Sequence, residues 1–120
     1  MNEKFDQLNS FNHNKLNNQV INYDDGKYVG QIVNGLREGK GIMYWNDGEK
    51  YEGEWKNDKK EGKGIFYWDD GSLYEGDWRN DKRDGRGIFY CSDGIRYEGD
   101  FRNNKKEGRG IIYLNFTIFS

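Results

Sequence analysis

The sequence predicts an all-β protein: a single-layer, twisted antiparallel sheet of tandem 23-residue β-hairpins. Three observations predict it. Tyr28, Tyr51, Tyr74 and Tyr97 are each 23 residues apart. Counting each tyrosine as position 0, glycine fills +2, +11 and +13 in all four copies and +20 in the first three, which places 15 of the 17 glycines on four positions. Within each copy, apolar residues alternate with polar ones at the period of two that a strand requires.

The second copy shows how one repeat is built. Tyr51-Glu-Gly-Glu-Trp55 puts Tyr51, Gly53 and Trp55 on one face and Glu52 and Glu54 on the other, which reads as a solvated face. Asn57 to Glu61 is a polar turn, and Gly62 to Trp68 is the return strand. Asp69-Asp70-Gly71 then turns the chain into the next copy, an Asp-Gly hairpin signal. Position +7 holds Gly35, Asp58, Asp81 and Asn104, residue types that accept a left-handed backbone.

The glycines have a packing reason. A single sheet has no second layer, so its large rings must be covered by neighbours on the same face. With strand parity, glycines at +2, +11 and +13 share the face of Tyr51, Trp55 and Phe66, and each leaves a slot for a ring. A ring seated there buries about 150–250 Å².

The flanks carry fewer signals. Residues 1–19 read as a polar N-terminal tail or a short capping helix, and Gln19 to Tyr23 adds one strand before the first full copy. The array spans 20–114, with copies at 28–50, 51–73, 74–96 and 97–119, the last incomplete. Residues 115–120 diverge into an apolar end, an edge that caps the array, pairs with another chain or marks a chain cut short.

Composition narrows the chemistry. Charged residues make up 33% and aromatics 17%, and the net charge of −2 with so many rings argues against disorder. With one histidine, His13, outside the repeats, neither a Ser-His-Asp triad nor a His-rich metal site is expected. Cys91 stands where other copies carry Trp45, Trp68 and Leu114, and reads as a packing residue. The Gly-Lys-Gly runs lack the spacing of a phosphate loop, and Asp69-Asp70-Gly71 is too short for a calcium loop. No catalytic residue, cofactor or metal is therefore expected. No apolar run is long enough to span a membrane as a helix, and the start lacks a signal-peptide pattern, so a cytoplasmic chain is expected.

Charge is unevenly spread. Segments +5 to +12 hold 14 basic and 6 acidic residues, whereas the rest of the chain holds 5 basic and 15 acidic. Hairpins stacked in register bring the basic turns to one edge, where Lys59, Lys60, Lys82, Arg83, Lys105 and Lys106 are candidates for contacting anionic lipid. The same charges also serve to keep a sheet soluble. Nucleic acid is not expected as a partner, because the rings are engaged with glycines and the chain is acidic overall.

The segment YEGEWKNDKKEGKGIFYWDDG, Tyr51 to Gly71, resembles the membrane occupation and recognition nexus (MORN) repeat: an aromatic-Glu-Gly-Glu-Trp start, a Gly-x-Gly return strand and an Asp-Gly turn. The resemblance runs from Tyr28 to Leu114. Departures occur at +7, where the family often has Gly, at +10, where Glu38, Glu61, Asp84 and Glu107 replace a frequent His, and in the first copy, with Val29 and Ile32. The resemblance implies a non-catalytic structural or protein-interaction module, in a cytoskeletal or ciliary assembly or at a membrane surface. Its partner would dock on the aromatic face around Tyr51, Trp55, Phe66, Tyr74, Trp78 and Phe89. Two further readings stand beside it. One is a peripheral phosphoinositide-binding module using the basic edge; the other is a fragment or regulatory subunit of a lipid kinase carrying such repeats. Homo-association through the C-terminal edge is a further expectation.

Overall fold

A computed structural model describes residues 18–114. Residues 1–17 and 115–120 lie outside the described residues, and with them most of the expected tail or capping helix and the divergent apolar end.

Nine strands form one antiparallel sheet in which each strand pairs with its sequence neighbours: β1 (Gln19–Tyr23), β2 (Gly26–Val33), β3 (Leu36–Trp45), β4 (Lys50–Lys56), β5 (Lys59–Tyr67), β6 (Leu73–Arg79), β7 (Lys82–Tyr90), β8 (Arg96–Arg102) and β9 (Lys105–Tyr113). The sheet is open, and among the described residues there is no helix. Its register sets the faces. Tyr51 opposes Phe66, and Gly53 opposes Gly64, on one face; Glu52 opposes Ile65 on the other.

The two turns of a repeat differ. At the first, both central residues have positive φ: Asn57 and Asp58 at 49° and 70°, Asn80 and Asp81 at 48° and 69°, Asn103 and Asn104 at 50° and 69°. This is the two-residue hairpin turn whose twist matches the flanking strands. The five-residue turn expected over Asn57 to Glu61 is therefore too long; Lys59, Lys60 and Glu61 already belong to β5. At the second turn only the glycine is left-handed, at 99°, 94° and 95° for Gly48, Gly71 and Gly94. The Gly71 amide donates to the Trp68 carbonyl at 3.2 Å, and the Ser72 amide to Asp70 Oδ1 at 2.8 Å. The aspartate of this Asp-Gly pair thus works through its carboxylate, with its backbone in an ordinary conformation.

The shorter first turn has a cost in register. Between the Gly53–Gly64 and Trp55–Lys60 pairs, β5 carries two more residues than β4. The bulge is taken up at Gly62, with φ +84°. It turns Gly62 toward the Glu54 carboxylate, and Gly39 and Gly85 likewise face Gln31 and Asp77. Across the next strand the +11 glycines Gly39, Gly62 and Gly85 still oppose Trp55, Trp78 and Phe101, as strand parity expects, but their positive φ turns the Cβ direction to the polar side, so they leave no ring slot. Glu54 Oε1 accepts the Lys63 amide across the bulge, and Asp77 Oδ2 accepts the Arg86 amide at 2.9 Å. Glu52 is also not solvated: it is 6% exposed and accepts the Tyr67 hydroxyl at 2.6 Å.

Candidate functional site

The aromatic face is built in two rows. In the inner row each Tyr at position 0 lies flat across the Gly-Gly pair of its own hairpin, so that a Cβ at Gly64 would overlap the Tyr51 phenol. The hydroxyl donates to a backbone carbonyl, Tyr51 to Glu54 at 2.9 Å and Tyr74 to Asp77 at 2.9 Å. Burial raises the Tyr51 and Tyr74 phenols well above their ordinary range. Each aromatic at +4 then stands edge-on between two tyrosines. Trp55 lies 5.5 Å from Tyr28 and 5.0 Å from Tyr51; Trp78 lies 5.3 Å from both Tyr51 and Tyr74. Phe101 continues the series between Tyr74 and Tyr97. Such edge-to-face pairs add about 0.5–1.5 kcal/mol each beyond their area.

The outer row alternates positions +15 and +17. Phe66 packs between Trp45 at 5.4 Å and Trp68 at 4.7 Å, and Phe89 lies 5.1 Å from Trp68. Trp45, Trp68 and Phe89 are partly exposed.

A third element completes the face: the cation at +9. Because the turn takes only two residues, Lys60 lies directly across from Trp55, and Arg83 across from Trp78. Lys60 Nζ sits 5.4–5.8 Å from the ring centres of Trp45, Tyr51, Phe66 and Trp78. Arg37 lies 4.4 Å over Trp55. Burial lowers the Lys60 ammonium, partly offset by Asp81. A shallow pocket of about 240 Å³ opens among Tyr23, Trp45, Trp55, Arg37 and Lys60.

The turns are stitched from one repeat to the next. The Asp58 amide donates to the Arg37 carbonyl at 2.9 Å, and Asp58 Oδ1 accepts the Arg37 amide at 3.2 Å and its Nε at 2.6 Å. Asp81 and Asn104 bond Lys60 and Arg83 through the same backbone atoms. At +10, Glu38 accepts the Asn57 amide at 3.0 Å, and Glu61 the Asn80 amide at 3.2 Å. The departures at +7 and +10 are thus explained: a carboxylate or amide oxygen there caps a neighbouring turn. Gly35, the first residue of the +7 series, has no such preceding turn among the described residues.

The face partly corrects the sequence expectation. Tyr51 and Tyr74 are fully buried; Trp55, Trp78 and Phe66 are 3%, 5% and 9% exposed. Their rings are fillings of the sheet, and of the six groove candidates Phe89 alone is partly open. What an incoming chain can touch is Trp45, Trp68, Phe89, Tyr23 and the +9 cations. The signal for them was present: +17 is aromatic in two copies, and +9 is always basic. The six lipid candidates also divide. Lys59, Lys82 and Lys105 are exposed beside the turns, whereas Lys60 and Arg83 fold over the rings, and Lys106 is exposed with its ammonium 5.0 Å from the Tyr97 ring centre. At the far edge of the sheet Ile111 and Ile112 are more than half exposed; residues 115–120, part of the edge invoked for homo-association, lie outside the described residues.

A one-layer sheet of tandem hairpins, with the packed rings on one face and the row Tyr44, Tyr67, Tyr90 and Tyr113 on the other, defines a β-hairpin repeat protein. The MORN repeat model matches four consecutive blocks, residues 28–50, 51–73, 74–96 and 97–114, and the chain belongs to the MORN repeat family. No individual curated protein matches the chain. Repeats of this family are generally protein- or membrane-interaction modules and are not catalytic.

Proposed function

We propose that the chain is a non-catalytic docking module that seats a partner protein across the outer row of its aromatic face, in a cytoplasmic assembly of the cytoskeletal or ciliary kind. The observation that carries it is the row Trp45, Trp68 and Phe89: partly exposed rings in one line on a sheet that no second layer covers among the described residues. Aromatic side chains at the centre of such a patch supply most of the energy of an interface. The opposite face is more heavily charged: its tyrosines Tyr44, Tyr67 and Tyr113 lie under Lys27, Lys50 and Arg96, and Lys63–Asp77 and Arg86–Asp100 pair across it. The type of assembly is supported by family kinship.

The test is site-directed photo-crosslinking in cells with p-benzoylphenylalanine at position 68 and, separately, at 90. Tyr90 lies on the opposite face, where it pairs with Leu73 and Arg96. A protein adduct of defined mass from 68 and none from 90 supports the reading. Equal adducts from both, or none from 68, sink it.

A second reading is favoured by a separate observation. Lys56 and Lys59, Arg79 and Lys82, and Arg102 and Lys105 are all exposed beside successive first turns. Such an edge suits the plane of an anionic membrane, each well-placed cation being worth about 1 kcal/mol.

A further inference from the structure

The +9 cations are not equivalent. Arg37 Nε is 2.6 Å from Asp58 Oδ1, and Lys60 Nζ is 3.5 Å from Asp81 Oδ1. At the next step the series breaks, because position 104 is Asn. Arg83 donates from Nε to Asn104 Oδ1 at 3.3 Å and from Nη2 to the Asn104 carbonyl at 2.8 Å. These bonds hold the guanidinium in the pose that Arg37 takes, but they bring no negative charge. No carboxylate among the described residues pairs with Arg83. Its neighbour Asp84 is turned away and accepts the Asn103 amide.

The surroundings make that lack consequential. The Arg83 guanidinium lies 5.6–5.9 Å from the ring centres of Trp68, Tyr74, Phe89 and Phe101. Burial disfavours its charge, yet a guanidinium stays ionised in proteins. The two bonds to Asn104 leave three of its five N–H groups for another acceptor.

A second irregularity meets the first at Phe89. Phe66 is flanked by tryptophan on both sides, whereas Phe89 has Trp68 on one side and Cys91 where the series would place a third indole. Phe66, between its two indoles, is buried, whereas Phe89 is partly exposed, so the Cys91 side is its open flank. Lys106, the next +9 cation two strands on, roughly 10 Å away, also lacks a carboxylate among the described residues.

We propose that Arg83 and the open flank of Phe89 form an anchor for a partner polypeptide that presents a carboxylate beside an apolar side chain. The carboxylate completes the charge pair that Asp58 and Asp81 make elsewhere, and the apolar group takes the place of the missing indole. The proposal rests on the reading of the aromatic face as a docking surface and names its chemistry. A protein segment fits better than a bilayer, because Arg83 is recessed among rings on the face, away from the exposed cations of the turn edge.

The experiment titrates acetyl-Phe-Glu-amide, and separately acetyl-Phe-Gln-amide, into the isotopically labelled full chain, followed by NMR. The expected result is saturable shifts at Arg83 Nε–H and at the Phe89 and Cys91 amides with the glutamate peptide, at least tenfold weaker with the glutamine peptide. Asn104→Asp installs the residue that the two preceding turns hold. It should leave the spectrum and the unfolding midpoint native while abolishing those shifts. Equal response to both peptides, or undiminished binding by folded Asn104→Asp, overturns the anchor and leaves the docking face standing if position 68 still crosslinks. Loss of both the shifts and the crosslinks sinks the docking face itself. Arg83 shifts with phosphatidylserine vesicles and not with peptide assign the site to a membrane headgroup. Shifts that follow protein concentration alone assign it to a second copy. Peptide binding only after removal of residues 115–120 assigns it to the chain's own end. Each of these three overturns the proposal.

Discussion

The Trp55 indole N–H donates to the carbonyl of Gly41 at 3.1 Å, reaching back from one repeat into the one before it. Trp78 makes the same bond to Gly64, also at 3.1 Å. Since each hairpin's tyrosine covers its own glycines, this indole, with the Phe66–Trp45 contact of the outer row, ties a repeat to its predecessor on the aromatic face.

Trp78→Phe keeps a ring of the kind that Phe101 supplies one copy later, but leaves the Gly64 carbonyl without its donor. The expected loss is about 1–3 kcal/mol, read as a lower urea midpoint with an unchanged denaturant slope. A midpoint equal to that of the parent protein would show that the bond contributes nothing net.

The glycines should separate into two classes. Gly64→Ala drives a methyl into the Tyr51 phenol and must displace a buried ring, at an expected cost of about 3–5 kcal/mol. Gly35→Ala meets no atom within 4 Å and suffers only from its φ of +77°, at about 1–2 kcal/mol. Equilibrium unfolding of both variants checks the order. A smaller loss for Gly64→Ala than for Gly35→Ala would refute the ring-slot account.

Asp58 predicts a pH dependence. Its hydrogen bond from the Arg37 side chain is the main influence holding the carboxyl below its ordinary value of 3.8. A carboxyl depressed in the folded state contributes stability that is present above the unfolded value and lost as pH falls through the folded one. Stability should therefore decline below about pH 4. Asp58→Asn keeps an oxygen for the Arg37 amide, as Asn104 does for Arg83, and should show a smaller decline between pH 5 and pH 3 in thermal melts. Superimposable pH profiles for the two proteins would rule the linkage out.

If the turn edge meets membranes, reversing Lys59, Lys82 and Lys105 to Glu should abolish co-sedimentation with phosphatidylserine vesicles. Those ammonium groups are exposed and act only within about 8 Å at physiological salt. Binding that survives the triple reversal, or that ignores added salt, would remove the second reading.

The hairpin array was legible because its geometry is written in glycine. Tyr28, Tyr51, Tyr74 and Tyr97 repeat at one interval, and the Gly-Gly pairs that each ring needs repeat with them. The path of the chain past the first turn was harder to read. Lys59, Lys60 and Glu61 look like loop by charge, but a two-residue turn leaves them in a strand, and their side chains then alternate between the edge and the rings. The bulge adds an even number of residues, so Gly64 and Phe66 keep the expected face. What the shorter turn adds is the pairing of Lys60 with Trp55 on the aromatic face and the turning of Gly62 toward Glu54 at the bulge. Five of the six groove candidates are buried for a related reason. Tyr51 and Tyr74 are conspicuous because the sheet needs them, so the most regular rings are those already covered, and the accessible ones lie in the less regular row of Trp45, Trp68 and Phe89.

The stitching of Asp58 to Arg37 and of Trp55 to Gly41 means that the period seen in the letters is out of phase with the mechanical module. A block cut from one tyrosine to the next carries its +9 cation away from the +7 oxygen that orients it, and its +13 carbonyl away from the indole that binds it. Anyone lengthening or shortening this array should instead exchange segments whose borders fall between the +7 oxygen of one turn and the +9 cation of the same hairpin. Lys59, outward-facing and free of both stitches, is the natural splice point in the second copy. Copies joined there keep the +7-to-+9 bonds and the indole-to-carbonyl bonds between residues that travelled together, and the length of the sheet becomes a quantity that can be set one repeat at a time.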